Sequence, residues 1–213
     1  MSYFLDDLDI NVTILPTAST FMGIPPNYIS YENDGTLVMN GDATVWLDID
    51  FPIIIRTVGV GQPVLTTLQG NITAPVWQVN DFNICEGQEL VHSWKEESPL
   101  YWHIHLITNG TNVDNRYVKF EVEYTWANSS GVLSANDTLS AEILIPANTP
   151  SKTMVSANLG DFIPVGGKIT SHVYARLKRV ASTGLAPTGN PFVTMLQLHY
   201  EQDTFGSRGI VTK

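Results

Sequence analysis

Three observations predict an all-β fold, an antiparallel β-sandwich. Residues 117–126 alternate without a break, with Val118, Phe120, Val122, Tyr124 and Trp126 on one side and Lys119, Glu121, Glu123 and Thr125 on the other. A period of two with one apolar face marks a sheet that is wet on one side. Other short apolar or alternating runs recur at intervals of roughly 8–15 residues between Pro, Gly, Asn-Gly and Asp-Gly signals, which suits a sandwich or barrel. No stretch carries the apolar spacing of an amphipathic helix.

In chain order, residues 1–40 are interrupted by Gly23-Ile24-Pro25-Pro26-Asn27 and Asn33-Asp34-Gly35. They are expected to form an irregular N-terminal arm that packs on the sandwich or on a neighbour, with one short apolar strand at 36–39. Residues 41–213 show no internal repeat, low-complexity tract or linker and are expected to form a single sandwich domain. Strands are expected at 44–50, 71–79, 88–92, 101–108, 117–126, 139–145, 152–157, 168–178 and 192–201. In the first, Trp46, Asp48 and Asp50 share a face opposite Leu47, Ile49 and Phe51. In the fourth, Tyr101, His103 and His105 share a face opposite Trp102, Ile104 and Leu106. Asn158-Leu159-Gly160-Asp161 and Gly166-Gly167-Lys168 are read as turns, because neither has the strand–loop–helix setting of a phosphate loop. Nine strands are close to the eight of a jelly roll, which is the arrangement expected.

At 213 residues, with 43% apolar and 15% charged positions and a mean hydropathy of +0.02, the chain is neither a disordered tail nor a coiled coil. A chain of this size buries roughly 70% of the surface its unfolded form exposes, so its core needs no staples. Its one cysteine, Cys85, allows no disulfide within the chain and reads as a small buried residue rather than a nucleophile. The net charge is −10, and the excess lies in residues 1–94, where eleven acids face one base, Arg56. Phosphate binding needs clustered Lys and Arg, and the densest cluster is Arg176-Leu177-Lys178-Arg179, so nucleic acid is not an expected partner. No apolar run approaches the roughly 18 residues of a membrane span. Met1-Ser2-Tyr3-Phe4-Leu5 is followed at once by Asp6-Asp7, which is not a signal-peptide pattern. Synthesis in a cytoplasm, with no membrane partner, is the expectation.

Four histidines are where chemistry would be sought: His92, His103, His105 and His199. Two imidazoles side by side on a strand, with a third ligand, could hold a transition metal, which makes His103, His105 and His199 the candidate ligands. The cupin metal motif also begins His-x-His, but it places a Glu four or five residues later, where this chain has Asn109 and Gly110. Hydrogen-bonded structural histidines are therefore expected, with no resident metal or cofactor and no catalytic residue. Asp48 and Asp50 could form a carboxylate pair, and a solvated sheet face accounts for them equally well. Glu32-Asn33-Asp34-Gly35 and Asn40-Gly41-Asp42 miss the calcium-loop spacing and are read as turns.

Three segments together carry a family resemblance. Leu90-Val91-His92-Ser93-Trp94-Lys95-Glu96, running through Tyr101-Trp102-His103-Ile104-His105, resembles a pattern of Pro-His-x-(Trp/Tyr)-Lys-Glu-Gly-Thr followed by Tyr-Pro-His-(Ile/Val)-His-Trp. Glu123-Tyr124-Thr125-Trp126-Ala127-Asn128 is similar to its Glu-Tyr-x-Trp-Ala-Asn, and residues 198–208 are similar to its His-Tyr-Glu-x-Asp-Thr-x-Gly-Ser-Arg. The pattern occurs in a family of small proteins encoded in tailed-bacteriophage genomes and prophages, often beside structural genes. Val91, Glu97, Trp102 and Leu106 depart from it, at Pro, Gly, Pro and Trp respectively.

The resemblance implies a jelly roll carried on a virion and made in the host bacterial cytoplasm. It implies a capsid decoration or head-fibre protein, or a collar component, that works by docking and by homo-oligomerisation, with a trimer favoured. Capsid, portal or tail proteins are the expected partners, and the acidic arm, with Asp6, Asp7 and Asp9, is the expected anchor on a basic patch. Two alternatives remain. One is a receptor- or glycan-binding module using Trp94, Tyr101 and Trp102; the other is a metal-dependent cupin-like enzyme.

Overall fold

The alternation of residues 117–126 becomes the longest strand among the described residues. In the computed structural model, which describes residues 21–32, 35–55, 61–207, 209, 210 and 213, it runs over Arg116–Ala127 as β10, the tenth strand in chain order. Before it come β1 (Phe21–Ile24), β2 (Asn27–Tyr31), β3 (Leu37–Asn40), β4 (Val45–Phe51), β5 (Val64–Gln69), β6 (Ile72–Val76), β7 (Phe82–Ile84), β8 (Gln88–Glu89) and β9 (Leu100–Ile107). After it come β11 (Asp137–Ile145), β12 (Met154–Phe162), β13 (His172–Val180) and β14 (Phe192–Gln202). Every pairing between them is antiparallel.

Two sheets face each other. One has the order β12-β9-β14, with β4 and the β6–β5 hairpin sharing the far edge of β14; the other has the order β11-β10-β13, with β7 and β8 sharing the far edge of β13. The connectivity is nested. β4 pairs β14, β7 and β8 pair β13, β9 pairs β12, and β10 pairs β11, so successive strand pairs lie one inside the other along the chain and alternate between the sheets.

The inward residues of both sheets form one apolar core. Phe51, Trp102, Ile104, Leu106, Leu196 and Leu198 meet Val118, Phe120, Val122, Val173 and Leu177, each at most 1% exposed. Trp102 packs its ring edge against Phe51 (centroids 4.9 Å apart) and lies parallel to Phe162 on the edge strand β12 (6.2 Å). Aromatic contacts of this kind add to the stabilisation already given by area burial.

Three local readings change. The described part of residues 1–40 is a regular meander, β1-β2-β3, and not an irregular arm. It is tied to the sandwich by the Met39 N–H donating to the Asp203 carbonyl (2.6 Å) and by a bridge between Val38 and Thr204. Residues 1–20, with Asp6, Asp7 and Asp9, lie outside the described residues, as does Arg208. Asn158-Leu159-Gly160-Asp161 is not a turn: β12 runs through it as a bulge. Gly160 adopts φ +128°, its N–H donates to Asn158 Oδ1 (2.7 Å), and an added Cβ would lie 3.2 Å from Leu139. Finally, β5 and β7 were not expected. β5 is exposed from Val64 to Thr67, with Leu68 alone packing inward, so Val64-Leu65-Thr66-Thr67 carries no alternation, and β7 is only three residues long.

Candidate functional site

The outer face of the β4-β14-β9-β12 sheet gathers polar and aromatic groups from four strands. Alternation turns Trp46, Asp48 and Asp50 outward from β4, Gln197 and His199 from β14, Tyr101, His103 and His105 from β9, and Ser156 and Asn158 from β12. Register then fixes the neighbours, with Asp48 opposite His199, His199 opposite Tyr101, Gln197 opposite His103 and Asn158 opposite His103.

Two chains of hydrogen bonds cross this face. His199 Nδ1 lies 2.7 Å from Asp48 Oδ1, and its Nε2 lies 2.6 Å from His103 Nδ1. Beside them, Gln197 Nε2 donates to Asp50 Oδ1 (2.8 Å), and Gln197 Oε1 and Ser156 Oγ take the two nitrogens of His105, Nε2 at 2.8 Å and Nδ1 at 3.1 Å. The tautomers follow from the partners. The Asp48 carboxylate requires a proton on His199 Nδ1, so in the neutral pair His199 Nε2 accepts from His103 Nδ1–H. His103 Nε2 is then an unprotonated acceptor with no partner among the described residues. Burial, then the neighbouring His105 and His199, hold the His103 pKa below its ordinary 6.5, with Asp48 opposing.

Trp46, Tyr101, His103, Ser156, Ala157, Asn158 and His199 line a groove of about 430 Å³ on this face. Trp46 is 53% exposed, and its ring meets Tyr101 edge-on at 5.4 Å.

The expected metal candidates His103, His105 and His199 do come together, with ring centroids 4.5 and 4.6 Å apart. Their nitrogens are engaged with one another, with Asp48, with Gln197 and with Ser156, and among the described residues His103 Nε2 alone has no partner. Among the described residues no group of three or more His, Cys, Asp or Glu is placed to hold a metal ion. His92 lies apart, with Nδ1 2.5 Å from Ser207 Oγ.

Of the aromatic partner-binding candidates, Tyr101 alone reaches the surface. Trp94 and Trp102 are fully buried. Trp102 alternates with Tyr101 and so faces the core, and Trp94 is bridged to Gln202 at the end of β14. Neither can stack on a ligand. Sequence reading placed Trp46 beside Asp48 and Asp50 but did not bring it to Tyr101, because that contact depends on how β4 and β9 flank β14. Cys85 is buried, and burial pushes its thiol up to about 12 despite a backbone hydrogen bond at Leu177 that acts the other way.

The segments that carry the resemblance converge elsewhere, at one end of the sandwich. Lys95 N–H donates to the Glu201 carbonyl (2.8 Å), and the Lys95 ammonium pairs with Glu201 Oε1 (3.0 Å). Glu96 accepts from Lys168 Nζ (2.8 Å) and from the Ile169 N–H (3.0 Å). Asn128 Oδ1 accepts from the Lys168 N–H (2.9 Å) and the Ser171 hydroxyl (2.6 Å), and its Nδ2 donates to the Gly166 carbonyl (3.0 Å). Asp203 N–H donates to the Ser93 carbonyl (3.3 Å). These residues tie residues 92–96, the 166–171 turn and the segment after β14 into one block.

No protein-family model matches the sequence, and no curated protein does. Among solved structures, the chain is similar to chains of the Gx and Gt strains of infectious bursal disease virus, at 8% identity and a TM-score of 0.35 in each. The matches cover 82% and 87% of this chain and 38% and 41% of those chains, so it spans less than half of their length. A likeness at that TM-score carries no argument about function. No helix among the described residues is long and apolar enough to cross a membrane.

Proposed function

We propose that this chain is a virion structural protein of a tailed bacteriophage, a capsid decoration, head-fibre or collar component. In this reading it works by docking and self-assembly and performs no catalysis. The observation that carries the reading is the placement of the residues shared with the phage family. Lys95, Glu96, Asn128, Glu201 and Asp203 hydrogen-bond to backbone and to one another at one end of the sandwich. Side chains spent on holding segments together are what a building block needs.

The nested pairing of β4 with β14, β7 and β8 with β13, β9 with β12, and β10 with β11 is that of one long hairpin rolled into two sheets, and we read it as a jelly roll. Closed rings of such units are common, and a homotrimer is the assembly proposed. In support, Val64 and Ile72 on one face of the β5–β6 hairpin and Leu65 on the other are each more than half exposed, apolar surface that neighbouring copies would cover. The acidic residues 1–20 are the proposed anchor on a basic capsid, portal or tail surface.

Light scattering on the purified protein tests the assembly. A mass near three times 23.5 kDa is expected, and Leu65→Glu should dissociate it. A monomer at all concentrations would overturn self-assembly as the protein's mode of action.

A further inference from the structure

We propose that the groove on the outer face of the β4-β14-β9-β12 sheet binds a neutral saccharide, stacked on Trp46 and hydrogen-bonded by His103, Asn158 and Tyr101. The inference stands apart from the self-assembly reading, because it concerns a face whose groups do not enter that argument.

The argument runs from what each group has left to offer. Trp46 presents more than half of its surface to solvent while Tyr101 holds its ring in place, which makes a flat and fixed apolar platform. Asn158 Oδ1 is taken by the Gly160 N–H at the bulge, so the amide orientation is set and Nδ2 is left as a donor. His103 gives Nδ1–H to His199, whose own proton is held by Asp48, so Nε2 is left as an acceptor. The Tyr101 hydroxyl, which donates and accepts, has no hydrogen-bond partner among the described residues.

These leftovers select a ligand class. A purely apolar ligand would cover Asn158 Nδ2 and His103 Nε2 without partners, at a desolvation cost. An anion would lie beside the Asp48 carboxylate in a chain of net charge −10. A cation would find no spare carboxylate, since Asp48 is held by His199 and Asp50 by Gln197. A pyranose has what remains: a C–H face for the indole and a rim of hydroxyls that each donate and accept. The volume, about 430 Å³, lies in the range of small-molecule sites, about 300–1,000 Å³.

The test is saturation-transfer NMR on the full chain with maltose, cellobiose, lactose and N,N′-diacetylchitobiose, and with glucuronate and glucosamine as charged counterparts. At least one neutral sugar should bind with an affinity of about 1 mM, and Trp46→Ala should weaken it at least about tenfold. Asn158→Ala should weaken the same sugar, and Trp46→Phe, which keeps a ring and guards against misfolding of the alanine variant, should retain it. Transfer from none of the neutral sugars, transfer from the charged ones alone, or binding unchanged in both alanine variants would overturn the proposal.

Discussion

Asn128→Ala isolates the block that joins the family-resemblance segments. The side chain makes three hydrogen bonds: to the Lys168 N–H (2.9 Å), the Ser171 hydroxyl (2.6 Å) and the Gly166 carbonyl (3.0 Å). A net bond contributes about 0.5–1.5 kcal/mol, and the two made to solvent-facing backbone belong at the low end because water replaces them. The bond to Ser171, which is fully buried, belongs near the top. The single Ser171 hydroxyl proton, shared between Asn128 Oδ1 and the Lys168 carbonyl (2.6 Å to each), goes wholly to that carbonyl in the variant, and Oγ still accepts from the Lys168 N–H (3.1 Å), so no orphaned group adds a further penalty. The sum is about 2 kcal/mol, or a fall in Tm of about 4–8 °C for a chain of this length. Urea melts with a common m-value would give the free energy directly. Asn128→Asp separates the contributions, since a carboxylate still accepts from Lys168 and Ser171 but cannot donate to Gly166, so it should cost less than alanine. A loss below about 0.5 kcal/mol for Asn128→Ala, within the range of an ordinary surface change, would refute the claim that this residue holds the block together.

Three further predictions use other parts of the molecule. Trp102→Ala should cost about 3–5 kcal/mol, as a fully buried aromatic truncated to a methyl does, whereas Trp46→Ala, which removes a half-exposed ring and its edge contact with Tyr101, should cost about 0.5–1.5 kcal/mol; equal costs in chemical denaturation would contradict the assignment of faces. The depressed His103 pKa means that the unfolded chain binds a proton more readily than the folded one. The His103 contribution to stability is therefore complete above pH 6.5 and is lost as pH falls through the lowered folded value. Denaturation curves between pH 7 and pH 5 should show that loss, with a shallower slope in His103→Gln; an unchanged slope would count against it. Cys85, buried with its thiol pushed up to about 12, should resist Ellman's reagent at pH 8 in the native protein and react in full in urea, and rapid native labelling would refute its burial.

The sequence and the structure agree where a pattern is local. The period-two run of residues 117–126 needs no tertiary information to become β10, and the same rule placed Tyr101, His103 and His105 on one face and Trp102 on the other. That alternation already pointed Trp102 into the core, and the sugar-platform reading overlooked it. Features set by register between distant strands were out of reach. Asp48 meets His199 because β4 and β14 are neighbours, and no spacing in the sequence announces that they pair. Asn158-Leu159-Gly160-Asp161 misled because glycine signals both turns and bulges, and only the Leu139 contact and the continuing ladder to β9 distinguish the two. The candidate site was thus half legible: the imidazoles and Tyr101 could be read along one strand, whereas the Trp46 wall and the Asn158 amide required the fold.

The central claim is that the chain is part of a virus particle. The most direct measurement is immunogold electron microscopy of gradient-purified phage particles from a host producing the chain, with antibody raised against the purified protein. Label at a fixed site on intact particles is the result the account predicts. Particles free of label, with the protein left in the soluble fraction of the lysate, would contradict it.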